Sequence, residues 1–276
     1  MYNAEMTSSM PPHHAIILKQ APITALSATL TLTQVSYSWW ETPLSCGLQV
    51  RLIDTGERRC HQCGKKSTRL MDGSCYTCFT TSPWHSPCII RPELCEAHLG
   101  KGRDVEWETQ HHLQPHVVYL AISGGVKVGV TRQTQLPTRW LNQGATDACV
   151  MAQLPNRYLA GRLECELKGL MSDRTSWQKM LKGVPHPTPL IDTYHAAWAF
   201  VSPEWQAYHT PFLAHSLSYP IQTHPSTVRS LSLQQAGDQI AGQLVGIKGQ
   251  YLLLDGGRVF NVRRHTGIVC DIQIHQ

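Results

Sequence analysis

The residues with the most distinctive chemistry are cysteines. Cys60 and Cys63 are two residues apart, Cys75 and Cys78 likewise, and eleven residues separate the pairs. A tight turn lets both thiolates of such a pair reach one ion. Two pairs complete a tetrahedral four-thiolate zinc shell, with no position left open for catalysis. Gly64 follows the first pair and Asp72-Gly73 supplies a turn before the second, while Lys65 and Lys66 offset the charge of four thiolates around one dication. A second set follows at once, His85-x2-Cys88 and Cys95-x2-His98. Its spacings close a second site of two thiolates and two imidazoles, although His111, His112 and His116 lie just downstream and any of them can replace His85 or His98. Ten cysteines in a chain with no basic-then-apolar leader point to metal rather than disulfides, and to the cytoplasm. Cys46, Cys149, Cys165 and Cys270 have no partners at metal spacing and read as core.

Cationic residues are the second resource. The chain of 276 residues carries a net charge of +5, with only 16% charged residues against an average of about 25%. The excess is concentrated: Arg58, Arg59, Lys65, Lys66 and Arg69 in one stretch, then Lys127, Arg132 and Arg139, then Arg258, Arg263 and Arg264. Such clusters suit a polyanion, and Lys65, Lys66, Lys127, Arg132 and Arg139 are the candidate nucleic-acid contacts. With 42% apolar residues the chain can bury real cores. Its longest aliphatic run, Ala15-Ile16-Ile17-Leu18, falls far short of the roughly 20 residues that span a bilayer, so no membrane partner is expected.

The elements that must position these residues are legible in part. Residues 1–56 read as a fraying tail, to about residue 23, followed by alternating strands, and 57–112 as a zinc-binding module that depends on metal for its fold. Val117–Ile122 and Val126–Val130, joined by Ser123-Gly124-Gly125, read as a hairpin. Pro137 opens a short helix carrying Arg139 and Trp140. A longer helix runs from Asn156 to Met171, its apolar face built on Leu159, Ala160, Leu163, Leu167, Leu170 and Met171. Glu164 and Glu166 flank that face at similar angles, so the helical wheel does not choose between them. Residues 184–235 read as an irregular connection with one helix near Tyr194–Phe200. Residues 236–276 read as a small β unit that can pair with the N-terminal strands.

The hairpin and helices, about residues 116–171, resemble the GIY-YIG nuclease core. Val118-Tyr119-Leu120 stands for the first tyrosine motif and Lys127-Val128-Gly129 for the second, with Lys127 at the position of the second tyrosine. Arg139 falls on the next helix, and Ala160-Gly161-Arg162-Leu163-Glu164 resembles the segment bearing the family's glutamate. The chain is also similar, over most of residues 30–270, to a bacterial family known as domain of unknown function 2797. That likeness is carried by Arg91-Pro92-Glu93-Leu94-Cys95, Lys127–Arg132, Arg139–Ala145 and Gly246–Leu252.

The nuclease resemblance implies an α+β fold with a GIY-YIG-like α/β core at 113–183, beside the cysteine-rich zinc module of zinc-ribbon type and flanking β-strands. It also implies phosphodiester hydrolysis with one divalent ion. Glu164 would hold Mg²⁺ or Mn²⁺, Arg139 would neutralise the scissile phosphate, and Tyr119 would orient or deprotonate the water. Lys127, with an ordinary pKa near 10.4, suits phosphate contact better than base catalysis. Three functions are thus in view: a zinc-containing nuclease, a non-catalytic DNA- or RNA-binding protein on the same fold, and a zinc-scaffolded interaction module.

Overall fold

Alternation of apolar and polar residues dominates the first part of the chain, and it folds accordingly. The computed structural model describes residues 16–171 and 176–276. Strands β1 (Ile16–Pro22), β2 (Ser27–Thr31), β3 (Gln34–Trp39), β4 (Thr42–Leu44) and β5 (Gln49–Arg58) come first. The expected fraying tail lies outside the described residues up to position 15. Beyond it, Ile16–Pro22 is held as a strand because it pairs with the end of the chain. Along β5, Val50, Leu52 and Asp54 are buried while Gln49 and Arg51 face out. The buried Asp54 carboxylate is held bidentately by Arg58, four residues further along the same strand, at 2.7 and 2.8 Å.

The cysteine-rich segment follows, with helix α1 (Tyr76–Thr81), several single 3₁₀ turns and helix α2 (Val105–His112). Asp104 starts α2, its carboxylate accepting from the Trp107 amide. Next come β6 (His116–Ile122), β7 (Val126–Arg132), α3 (Thr138–Asn142), β8 (Asp147–Leu154) and α4 (Arg157–Leu167). Asn156 caps α4 by accepting from the Leu159 amide. The chain closes with α5 (Trp177–Lys182), α6 (Leu190–Phe200), β9 (His215–Ser216), β10 (Arg229–Leu231), β11 (Gln239–Lys248), β12 (Tyr251–Leu254), β13 (Arg258–Asn261) and β14 (Ile268–His275).

A seven-stranded sheet in the order β1-β14-β5-β11-β12-β13-β10 joins strands from both ends of the chain. A small sheet β2-β3-β4 lies apart from it, and the middle of the chain forms a third sheet, β7-β6-β8-β9. From Val117 to Ile122 strand β6 is an apolar run, as suits a strand covered on both faces. Val117, Tyr119 and Ala121 join the core shared with the large sheet and with Trp140 and Leu141 of α3. Val118 and Leu120 join a second core against Leu163 and Leu167 of α4 and Tyr194 and Trp198 of α6.

Candidate metal centre and cationic cavity

The first cysteine pair sits just beyond β5. The Cys60 amide donates to the Lys65 carbonyl and the Gly64 amide returns to the Cys60 carbonyl, which closes a knuckle with Gly64 at φ +70°. The second pair begins after a turn in which Met71 and Ser74 exchange backbone hydrogen bonds, with Asp72 and Gly73 at positive φ. Cys75 then precedes α1, and Cys78 lies in its first turn. All four sulfurs lie within 4.8 Å of one another, with Cys63 and Cys75 3.9 Å apart. Burial pushes the Cys60 thiol up, but amides of Cys75, Cys63 and Gln62 outweigh it and bring the thiol down to about 6. Sharing hydrogen atoms with Cys75 pushes Cys78 up to about 12. The four converging thiols form a donor set that can hold a zinc ion. Lys66 does not serve the thiolates as expected: it pairs with Glu57 at 2.6 Å, as does Arg59.

The second set is assembled differently from its sequence spacing. Cys88 and Cys95 are buried together, and the imidazole brought within 4.8 Å of both is that of His112. His85 instead shares a hydrogen bond with the Ser74 hydroxyl at 2.9 Å, and His98 stacks on Tyr158 of α4, ring centroids 4.4 Å apart. The reason is that α2 folds back over the module. His112 lies on its buried face, whereas His98 sits in the turn Ala97–Leu99. His111, on the neighbouring face of α2, stacks flat on Trp107 at 3.9 Å.

Between the module, the third sheet and the C-terminal strands lies a cavity of about 630 Å³. Its walls carry Arg132 from β7, Arg139 from α3, Arg157 from α4 and Arg263 from the C-terminal segment, together with His61, His85, His111, His112 and His116. Among the described residues that line it, Asp72 is the one carboxylate. Two of these side chains have unused polar atoms. Among the described residues, neither Arg139 Nε nor His116 Nε2, both buried, has a hydrogen-bond partner. Burial, with Arg157, His112 and Arg132 nearby, lowers the His116 pKa to about 4 although its bond to Gln114 works the other way. The ring is therefore neutral at pH 7. Its Nδ1 donates to the Gln114 carbonyl at 2.7 Å, which leaves Nε2 as a bare acceptor.

The other residues of the expected catalytic set do not line the cavity. Tyr119 is fully buried, its ring lying across Gly129 and its hydroxyl accepting from Gln143 Nε2 at 2.8 Å. Burial raises its pKa, with Arg139 and Gln143 offsetting part of the rise. Glu164 is 7% exposed and pairs with Lys168 at 3.2 Å; burial raises its carboxyl pKa against the pull of Lys168. Of the two glutamates the helical wheel left open, Glu166 faces away and accepts from Ser202 and Trp205. Lys127 lies on β7 opposite Ala121 of β6.

The family model described as a protein of unknown function (DUF2797) matches residues 47–270. The chain belongs to this DUF2797 family. The match runs from just before β5 into β14, so it takes in both cysteine clusters and every lining residue of the cavity except Thr24 and Ala25. No curated protein and no solved structure matches the chain.

Sequence reasoning did not single out Arg157 or His116 as cavity residues. Arg157 opens α4 and donates to the carbonyls of Cys88 and Ile89 at 2.8–2.9 Å, which ties the module to that helix. The only available signal was its place directly after a capping asparagine. Gly161, one turn along, meets the backbone of Pro92 and Glu93 so closely that a Cβ would lie 2.2 Å from the Glu93 amide nitrogen.

Proposed function

We propose that this DUF2797 protein is a zinc-stabilised nucleic-acid-binding protein whose cavity receives a phosphate of the strand. The observation that supports this best is the unused, buried Arg139 Nε in a cavity lined by Arg132, Arg157 and Arg263 with a single carboxylate. A half-buried guanidinium with a spare donor matches a phosphate oxygen. The volume suits a ligand of nucleotide size. At the rim, Trp84 is half exposed and packs edge-on against Trp107 at 4.9 Å, an aromatic surface on which a base can stack.

Binding is favoured over cleavage. In the nuclease reading Glu164 holds Mg²⁺ or Mn²⁺ beside Tyr119, yet the carboxylate is engaged by Lys168 and the phenol is buried and neutral. The proposal extends to a cytoplasmic setting. Among the described residues no helix is long and apolar enough to cross a membrane.

The test incubates the zinc-loaded protein with labelled single- and double-stranded DNA and RNA, in Mg²⁺, Mn²⁺ or EDTA, beside Arg139→Ala and Glu164→Ala. The expected outcome is binding without strand scission, weakened by Arg139→Ala and unchanged in Glu164→Ala. Metal-dependent scission lost in both variants would establish the nuclease instead. Absence of binding throughout would leave the interaction module.

A further inference from the structure

Glu108 is a buried carboxylate with an unusual set of neighbours. It is 2% exposed, and among the described residues no lysine or arginine side chain pairs with it. Its Oε1 accepts from the Ser86 hydroxyl and the Arg103 amide, each at 2.9 Å. Its Oε2 lies 3.7 Å from His112 Nδ1, one helical turn further along α2. That same Nδ1 lies 3.5 Å from Cys95 Sγ and 3.9 Å from Cys88 Sγ. Gly102 leaves room for the carboxylate, since a Cβ there would come within 2.4 Å of it.

We propose that Cys88, Cys95 and His112 hold a second zinc ion with a water as fourth ligand, and that Glu108 stands beside the ion as an outer-shell carboxylate. Zinc bonds of about 2.0–2.3 Å in a tetrahedron set neighbouring ligand atoms roughly 3.3–3.8 Å apart, close to the separations of His112 Nδ1 from the two sulfurs. A dication gives the buried carboxylate the partner that the surrounding side chains do not supply. Ser86 and the Arg103 amide hold that carboxylate through Oε1 so that Oε2 faces the His112 ring, the place of an outer-shell group. Two thiolates and a carboxylate leave one excess negative charge, and Arg157, bonded to the Cys88 carbonyl and close to both thiols, faces it. The ion would fasten the turns Pro87–Ile89 and Pro92–Leu94 to α2, whose Trp107 and His111 wall the cavity. This assignment stands whether or not the cavity binds nucleic acid.

The test is zinc content of the full chain by mass spectrometry, with zinc K-edge absorption. Wild type is expected to hold two zinc ions per chain, averaging three sulfurs and one nitrogen or oxygen per zinc. His112→Ala and Cys95→Ser are expected to keep one, while His85→Ala and His98→Ala keep two. Glu108→Gln is expected to weaken the second site about tenfold or more in chelator competition, a measurement on a chain with both thiolates intact. One zinc in the wild type overturns the proposal, as does equal zinc loss in His98→Ala or His85→Ala. Unchanged affinity in Glu108→Gln overturns the part given to Glu108. Should Cys95→Ser or His112→Ala fail to fold, the wild-type stoichiometry and the Glu108 and His98 variants still decide.

Discussion

His116 shows how a single buried ring reports on the cavity. Its native pKa of about 4 lies below the value near 6.5 expected once the chain unfolds. Between these values the unfolded chain binds more protons than the native one. The stability His116 contributes is therefore complete above about pH 6.5 and is lost as pH falls towards 4, by about 3 kcal/mol from this residue. Urea unfolding at pH 7.5, 6 and 5, with zinc in excess, should show a smaller loss in His116→Gln than in wild type. Equal losses would mean the ring is not held neutral. At the same scale, among the described residues Arg139 Nε has no partner while the guanidinium also faces Tyr119, so Arg139→Ala should cost binding more than it costs stability. Calorimetric unfolding beside a binding titration checks both halves of that statement.

At the scale of elements, the packing of α4 on the cysteine-rich module is a tight constraint. Gly161 faces the backbone of Pro92 and Glu93, which cannot rotate away as a side chain can. Gly161→Val should destabilise the protein by about 1–3 kcal/mol or more, read as a lower unfolding midpoint in urea. The β6–β7 hairpin and α4 were legible in the sequence, because an apolar run, a glycine turn and a capped amphipathic stripe are local patterns. Strand β8 was not. Its run Ala148-Cys149-Val150-Met151-Ala152 is apolar on both faces and gives no period to read. Helix α2 was missed for the opposite reason: its buried face is Glu108 and His112, so it lacks an apolar stripe. That polar face also explains the second cysteine set. Spacing finds neighbours in the chain, such as His85 and His98, whereas His112 reaches Cys95 only because α2 folds over the module.

At the scale of the whole molecule, three parts of the chain wall one cavity, and the cysteine module is the part with the least apolar core of its own. Metal should therefore control the cavity more than it controls the sheets. Stripping zinc with a chelator should abolish ligand binding while the far-ultraviolet signal of the seven-stranded sheet persists; loss of both together would make metal a requirement for the entire fold. The basic clusters were visible in the sequence, but their division of labour was not. Lys66 is spent on Glu57, while Arg132 and Arg139 meet Arg157 and Arg263 across the cavity lining.

The central claim is that these arginines contact phosphates, and the most direct measurement is the salt dependence of binding. Anisotropy of a labelled single-stranded oligonucleotide would be titrated with zinc-loaded protein from low to high potassium chloride. Affinity should fall linearly on logarithmic axes, and the Arg132→Ala/Arg139→Ala double variant should reduce the slope by about 1.4, roughly 0.7 for each phosphate contact removed. Binding with the same slope in the double variant, or no binding at the lowest salt, would contradict the account.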